Sequence, residues 1–249
     1  MNKKIHVIMP MAGEGSRFKD IGIDTPKPLI KFNGKPLFVN ALETVKNIDI
    51  ASYTFIVRKE HIDNYNIDKE ILKYYPDAII LAIENTTRGA AETAYLAIKN
   101  IIISNIGEFT DGVLIMDCDV VVESSELTDM LKNPDTFDGL LLSFYSNENK
   151  YSYATVNSDG DVISTAEKVV ISDNALTSPY YVNKIEDFVD AFHDMETYSY
   201  DGELTYKEMY MSILYNFLIA NRKTIKLIGT DNILSLGTPE ELEEANKQL

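Results

Sequence analysis

Three short stretches of this 249-residue chain carry side chains whose types and spacing suit phosphate chemistry. The first, Met9-Pro10-Met11-Ala12-Gly13-Glu14-Gly15-Ser16-Arg17-Phe18, sets two glycines and an arginine directly after an apolar run. Closely spaced glycines let backbone N–H groups converge on a phosphate without Cβ interference. A dinucleotide fingerprint needs a third glycine where Phe18 stands, so that motif fails. A Walker loop needs a closing Gly-Lys-Ser/Thr, and a kinase loop needs a third glycine and a His-Arg-Asp; the chain has none of these. What remains is G-x-G-x-R, with arginine as the phosphate clamp, or a bare glycine turn. In the second stretch, Thr25-Pro26-Lys27-Pro28-Leu29, two prolines restrict the backbone around Lys27. A rigidly presented ammonium suits a phosphoryl group that gains charge in a transition state; a solvated lysine is the alternative. The third, Met116-Asp117-Cys118-Asp119, ends an apolar run with two carboxylates. They are oxygen ligands for a hard cation or, more plainly, a helix cap.

These stretches need a scaffold that brings them together. Short apolar runs at Ile5–Met9, Tyr53–Val57, Ala78–Ala82 and Val113–Met116 predict strands. Helical patterns near Phe38–Lys46, Asp68–Tyr75 and Gly89–Ile103 lie between them. This alternation predicts an α/β, doubly wound, Rossmann-like sheet, which collects ligands at the carboxyl ends of its strands. After Ser124 the pattern changes. Leu140–Tyr145, Ala154–Val156, Val162–Ser164 and Pro179–Val182 read as strands, with a turn at Asn157-Ser-Asp-Gly160. Helices near Lys184–Met195 and Leu204–Asn221, a strand at Thr224–Ile228 and a helix near Pro239–Lys247 complete a mixed sheet. We read 1–249 as a single domain, 1–123 mainly a nucleotide-binding half and 124–249 mainly an acceptor-binding half.

Composition narrows the partners. A formal net charge of −16 argues against nucleic acid as a partner. The cations concentrate early: residues 1–46 hold eight Lys/Arg against four Asp/Glu, whereas the remainder holds 15 against 35. An acidic protein with a basic opening segment suits a small polyanion bound there. The lone cysteine, Cys118, excludes an internal disulfide and a cysteine-rich zinc site. No apolar run has the length for a bilayer, and the opening residues lack a leader's apolar stretch. The expectation is a cytoplasmic protein with no membrane partner.

Residues 8–38, with G-x-G-x-R-F followed by P-K-P-L, closely resemble the signature of the nucleotidyltransferases that activate sugar phosphates and related phosphates. The resemblance continues more weakly along most of the chain. It implies a Rossmann-like (GT-A-like) nucleotidyltransferase fold, Mg²⁺ (or Mn²⁺) as cofactor, and transfer of NMP from NTP to a phosphorylated acceptor with release of pyrophosphate. On this resemblance Met11, Ala12, Gly13, Glu14, Gly15 and Ser16 wrap the triphosphate. Arg17 neutralises the departing phosphates and Lys27 touches the α-phosphate, making these two the catalytic pair. Asp117 and Cys118 fall in the nucleotide-binding stretch. Asp119 takes the place of the metal-binding aspartate, with Cys118 where a glycine is usual. Glu208, after Gly202-Glu-Leu, takes the second metal position in place of an aspartate; a solvated helix carboxylate is the alternative. Glu167-Lys168 resembles the Glu-Lys-Pro that holds the acceptor phosphate, although Val169 replaces the proline. Gly237-Thr238-Pro239-Glu240 resembles a closing family stretch and reads as a helix start.

Base reading falls on Glu84-Asn85-Thr86-Thr87-Arg88-Gly89. Many thymidylyltransferases have a glutamine at the position of Glu84. A carboxylate only accepts hydrogen bonds, which suits the exocyclic amine of cytosine better than the N3–H and carbonyl pair of uracil or thymine. CTP is therefore the expected nucleotide. Within the family the chain looks most like the cytidylyltransferases of capsule phosphoramidate synthesis, which implies phosphoglutamine as acceptor. A sugar 1-phosphate acceptor is the alternative, and an inactive nucleotide-binding regulatory homologue is a second. Relatives of this kind form dimers or tetramers, so a homo-oligomer is compatible with the resemblance.

Overall fold

The computed structural model describes residues 3–200 and 208–247. β1 (Ile5–Met11) shows why it is central: Ile5, Val7, Met9 and Met11 enter one apolar cluster while Ile8 enters another. That alternation belongs to a strand covered on both faces. β1 runs through the glycine loop into the short helix α1 (Ser16–Lys19). A small hairpin, β2 (Lys31–Phe32) and β3 (Lys35–Pro36), precedes α2 (Leu37–Leu42). The buried amide of Asn40 donates to the carbonyls of Phe32, Lys35 and Pro36 and so holds that hairpin. There follow β4 (Ser52–Arg58), α3 (Lys59–Tyr65), α4 (Ile67–Tyr74), β5 (Ile79–Ile83), α5 (Ala90–Ile103) and β6 (Gly112–Ile115). The strands β5-β4-β1-β6 lie side by side and parallel.

The remaining elements are β7 (Val120–Glu123), α6 (Ser125–Lys132), β8 (Gly139–Tyr145), β9 (Ser152–Val156), β10 (Val162–Glu167) and β11 (Asn174–Val182). After them come α7 (Ile185–Tyr200), α8 (Met211–Ala220), β12 (Ile225–Gly229), β13 (Asn232–Ser235) and α9 (Pro239–Lys247). β11 joins the two parts of the sheet. It pairs antiparallel with β6 on one side and with β8 on the other, and its first residues meet β9, which carries β10. β12 adds parallel to β8. The result, among the described residues, is a nine-stranded mixed sheet. Residues of α5, α7 and α8 pack on one face; α2, α4 and α6 contribute to the cluster on the other. The α/β doubly wound fold expected from the alternation is the fold observed.

Three differences from the expected elements bear on the site. The predicted helix at 68–75 is one of two, because Asn66 takes a left-handed conformation (φ 51°) and separates α3 from α4. Leu204–Asn221 does not form one helix as described: 201–207 lie outside the described residues, Tyr210 is extended and α8 begins at Met211. Finally, β7 and β13 form an unexpected antiparallel pair, Asn232 opposite Glu123 through Ser235 opposite Val120. It folds the last part of the chain back over the Asp117–Asp119 segment. No helix among the described residues is long and apolar enough to cross a membrane.

Candidate functional site

The three stretches singled out in the sequence converge at the carboxyl ends of β1 and β6. Gly15, at φ 64°, is the cap from which α1 starts, and Phe18 anchors that turn in a cluster with Ile30, Phe32, Leu37, Leu236 and Ala245. The glycine loop is therefore pinned from below by both the hairpin and the C-terminal helix. Lys27 opens a 3-10 turn whose next residue, Pro28, is buried. Its ammonium donates to Asp119 Oδ2 at 2.7 Å. Burial opposes the charge on Lys27. The Asp119 carboxylate, with Cys118 and Asp117 nearby, more than offsets this and holds the lysine above its ordinary range. Arg17 is exposed on α1 and makes no ion pair among the described residues.

Asp119 is held from a second side. The Leu236 N–H donates to the Asp119 carbonyl at 2.8 Å. A Cβ on Gly237 would lie 2.6 Å from Asp119 Oδ2, the oxygen that Lys27 binds. Only a residue without a side chain lets this segment approach so closely. The stretch taken as a helix start is one: Thr238 Oγ1 accepts from the Glu241 N–H, and Glu241 Oε2 accepts from the Gly237 N–H. It also packs directly against a candidate metal ligand, which the motif alone did not reveal.

Two cavities open near this segment; Asp117 lines one of them, and Lys27 and Asp119 line neither. The first, about 470 Å³, is lined by Pro10, Ala12, Gly13, Glu14, Thr86, Thr87, Arg88, Gly89, Ala90, Thr93 and Glu208. The second, about 250 Å³, includes Asp117, Lys150, Tyr151, Glu167, Tyr180 and Tyr210 in its lining, and it shares Ala90 with the first. The bridge between them is a backbone contact. The Met209 N–H donates to the Arg88 carbonyl at 2.7 Å, and the Ala91 N–H donates to the Met209 carbonyl at 3.0 Å. Gly89, at φ 150°, admits this contact, since a Cβ there would lie 2.6–2.9 Å from the Met209 backbone. The contact satisfies one of the free N–H groups at the start of α5 and delivers Glu208 to the first cavity.

Several expected nucleotide-binding residues thus share one cavity: Ala12, Gly13, Glu14, Thr86 and Gly89. Others lie elsewhere. Met11 and Cys118 are buried in an apolar cluster, burial pushes the Cys118 thiol up to about 12, and neither residue lines either cavity. Gly15, Ser16 and Arg17 flank the first cavity's lining without forming part of it. Glu84 and Asn85 also fall outside that lining, and Glu84 extends into solvent, 3.5 Å from the Lys59 ammonium. Asp117 lines the second cavity, where burial, with Asp119 beside it, pushes its carboxyl up to about 7. Glu167 lines the same cavity and accepts from the Ser212 hydroxyl at 2.7 Å. Lys168, left-handed at φ 57°, donates to the Tyr210 hydroxyl at 3.0 Å. The tyrosines and Lys150 were not foreseen, because residues on separate segments of the chain carry no local spacing signal.

A central mixed sheet with a phosphate-type loop after β1 and two adjoining cavities defines a Rossmann-like nucleotidyltransferase. The chain belongs to the nucleotidyl transferase family, which matches residues 6–249. It is similar in structure to the nucleoside-diphosphate-sugar pyrophosphorylase from Vibrio cholerae RC9 at 26% identity and TM-score 0.82, covering 97% of this chain and 100% of that one. It shares its fold with the CTP:phosphocholine cytidylyltransferase from Streptococcus pneumoniae at 16% identity and TM-score 0.71, covering 98% and 99% of the two chains. It shares it also with the inositol-1-phosphate CTP transferase from T. maritima at 15% identity and TM-score 0.70, covering 98% and 96%. No curated protein matches the sequence.

Proposed function

We propose that the chain transfers CMP from CTP to a small phosphorylated acceptor, with phosphoglutamine as the candidate, in capsular phosphoramidate synthesis. An acceptor phosphate oxygen attacks the α-phosphorus, the bond from the α-phosphorus to the β-phosphate oxygen breaks, and pyrophosphate leaves. The observation that carries this reading is the pair of cavities meeting at Ala90, one walled by the glycine loop and the other by Asp117 and Glu167. In-line transfer between two phosphates is opposed mainly by charge, so positioning and cations do most of the work. Ala12, Gly13 and Glu14 would wrap the triphosphate, with Arg17 at the β- and γ-phosphates and Lys27 at the α-phosphate. Glu167 and Lys168 would hold the acceptor.

Asp119 and Glu208 would hold the divalent cation. Their carboxylate oxygens suit Mg²⁺ or Mn²⁺, and among the described residues no three metal-type ligands gather. Mg²⁺ sites of this chemistry use one or two carboxylates and complete the shell with water and substrate phosphates. When bound, the cation supplies neutralising charge to the phosphates.

For base recognition, Thr86–Gly89 are the candidates supported by the cavity's lining, with Glu84 and Asn85 just outside it. The resemblance to a nucleoside-diphosphate-sugar pyrophosphorylase favours a second reading, in which the acceptor is a sugar 1-phosphate. Pyrophosphate release, measured with each of the common NTPs against phosphoglutamine and a set of sugar 1-phosphates, separates the two. CTP with phosphoglutamine should give the highest kcat/KM; a faster reaction with any sugar 1-phosphate moves the assignment to the second reading.

A further inference from the structure

One side chain in the wall of the first cavity is held from behind on two sides. Arg88 lines that cavity, whereas the two carboxylates that grip it, Glu92 and Glu196, stand outside the lining. Glu92 Oε1 accepts from Arg88 Nε at 2.9 Å and from Nη2 at 2.7 Å, and Glu92 Oε2 accepts from the Arg88 backbone N–H at 2.5 Å. Glu196, on α7, accepts from Nη2 at 2.6 Å. A guanidinium is planar, so fixing Nε and Nη2 also fixes the direction of Nη1. Nη1 itself has no partner among the described residues. Two carboxylates at these distances offset the positive charge. What the group still offers a ligand is therefore a pair of N–H donors, and not a phosphate clamp.

The hydroxyls of the same wall are less selective. Thr87 and Thr93 lie 3.1 and 3.0 Å from the Gly89 carbonyl oxygen and 2.6 Å from each other, so both are spent on the turn. The Thr86 hydroxyl can donate or accept and fits a base edge of either kind. Arginine only donates. Cytosine presents an acceptor at N3, where uracil and thymine carry N3–H. A donor-only group pairs with the first and, against the second, leaves two donors facing each other.

We propose that Arg88 determines the choice of base: Nη1 donates to N3 of cytosine, and Glu92 and Glu196 position the guanidinium for that contact. This rests on the transfer reading above and gives base selection within it to one side chain. Glu196 lies 108 positions from Arg88, so the reader of the base is set by a contact that no local spacing reveals.

The test is calorimetric titration of the full chain, with Mg²⁺ and no acceptor, by CTP, UTP and 3-deaza-CTP, in which C–H replaces N3. The wild type should bind CTP about tenfold or more tightly than either of the others. Arg88→Ala should bring all three to within about threefold of one another, chiefly by weakening CTP. Glu196→Ala leaves the guanidinium in place but held from one side. It should narrow the ratio of CTP to 3-deaza-CTP by about threefold or more, a change that a loss of stability alone would not produce. Absence of CTP binding, equal binding of CTP and 3-deaza-CTP by the wild type, or a wild-type ratio in Arg88→Ala overturns the proposal. An unchanged ratio in Glu196→Ala overturns it too, and decides the matter if Arg88→Ala does not fold. Because binding is read without turnover, a preference that depends on N3 with no pyrophosphate release from any acceptor refutes the transfer reading alone. Transfer that uses UTP as readily as CTP refutes the Arg88 assignment alone.

Discussion

Lys27 and Asp119, which lie 92 positions apart in the chain, hold each other through a 2.7 Å ion pair. Their side chains are 28% and 15% exposed, so the pair lies between the weak ion pairs of a surface and the costly ones of a core. Lys27→Ala should therefore act twice. It should lower turnover by roughly 100- to 1,000-fold through loss of a charge-stabilising contact, and it should lower stability by about 1–3 kcal/mol by stranding Asp119. Arg17→Ala should show the kinetic loss without the stability loss, since Arg17 makes no ion pair among the described residues. Steady-state kinetics together with urea unfolding separate the two effects. Unchanged unfolding in Lys27→Ala would contradict the structural half of the claim.

Gly237→Ala tests the contact on the other side of the same carboxylate. The new methyl would begin 2.6 Å from Asp119 Oδ2, and displacing that oxygen should cost roughly tenfold or more in kcat. The capping contacts of Thr238 and Glu241 lie outside the clash, so the fold should persist in circular dichroism. A variant with wild-type kcat would show that Asp119 can shift without consequence.

Gly89→Ala should weaken the link between the two cavities. Both the φ of 150° and the 2.6 Å approach to the Met209 carbonyl oxygen disfavour a side chain. A loss of about 1–3 kcal/mol is expected, or several degrees in Tm for a chain of this size. Nucleotide affinity should fall with it, because Gly89 and Glu208 line the same cavity. Thermal melts and nucleotide titration check both.

Removal of divalent cations should abolish pyrophosphate release, and Mg²⁺ or Mn²⁺ should restore it. Asp119→Asn should raise the Mg²⁺ concentration needed for half-maximal rate. Full rates after exhaustive chelation would dismiss the metal assignment.

Acid should remove the stabilising contribution of the buried histidines. His6 is fully buried, with Nδ1 2.8 Å from the Ser52 hydroxyl and Nε2 3.3 Å from Asp111. Burial pulls its pKa down and Lys4 adds to that, against the opposing pull of Asp111. Burial likewise pulls His61 down. A histidine whose folded pKa is depressed takes up a proton more readily when unfolded. Their contribution to stability is therefore full above the unfolded value near 6.5 and declines as pH falls below it. The slope should reach at most about 1.4 kcal/mol per pH unit for each histidine. Asp117, raised to about 7, acts in the opposite sense over the same range, so the His6 contribution is read as the difference in urea midpoint between the wild type and His6→Gln, which should be larger at pH 7.5 than at pH 5.5. An equal difference at both pH values would mean that His6 takes up its proton as readily in the fold as in the unfolded chain.

The scaffold was legible where local chemistry repeats. β1, β4, β5 and β6 were found within a residue or two of their ends because apolar runs between helical patterns form a one-dimensional signal. α9 was found from Thr238 and Pro239, a cap and a first-turn proline. The α3–α4 break at Asn66 was missed because it depends on one left-handed residue, and β7 and β13 because each is short and gains its partner only across the chain. In the site, Gly13, Lys27 and Asp119 announced themselves through rigid or strand-end contexts. Tyr180, Tyr210 and Gly237 did not, since their part is set by distant neighbours. Glu84, singled out by residue type and register, extends into solvent beside Lys59 and outside the first cavity's lining, a placement that depends on the turn after β5.

The Met209 contact has an evolutionary consequence. Both of its hydrogen bonds use main-chain atoms, so they do not depend on which apolar side chain fills position 209 in the core. The residues that follow, Tyr210, Met211 and Ser212, form part of the second cavity's wall. A lineage can therefore rewrite that wall by substitution while the strap keeps its grip on α5. Diversification of what the enzyme accepts is in this way separated from the machinery that receives the nucleotide.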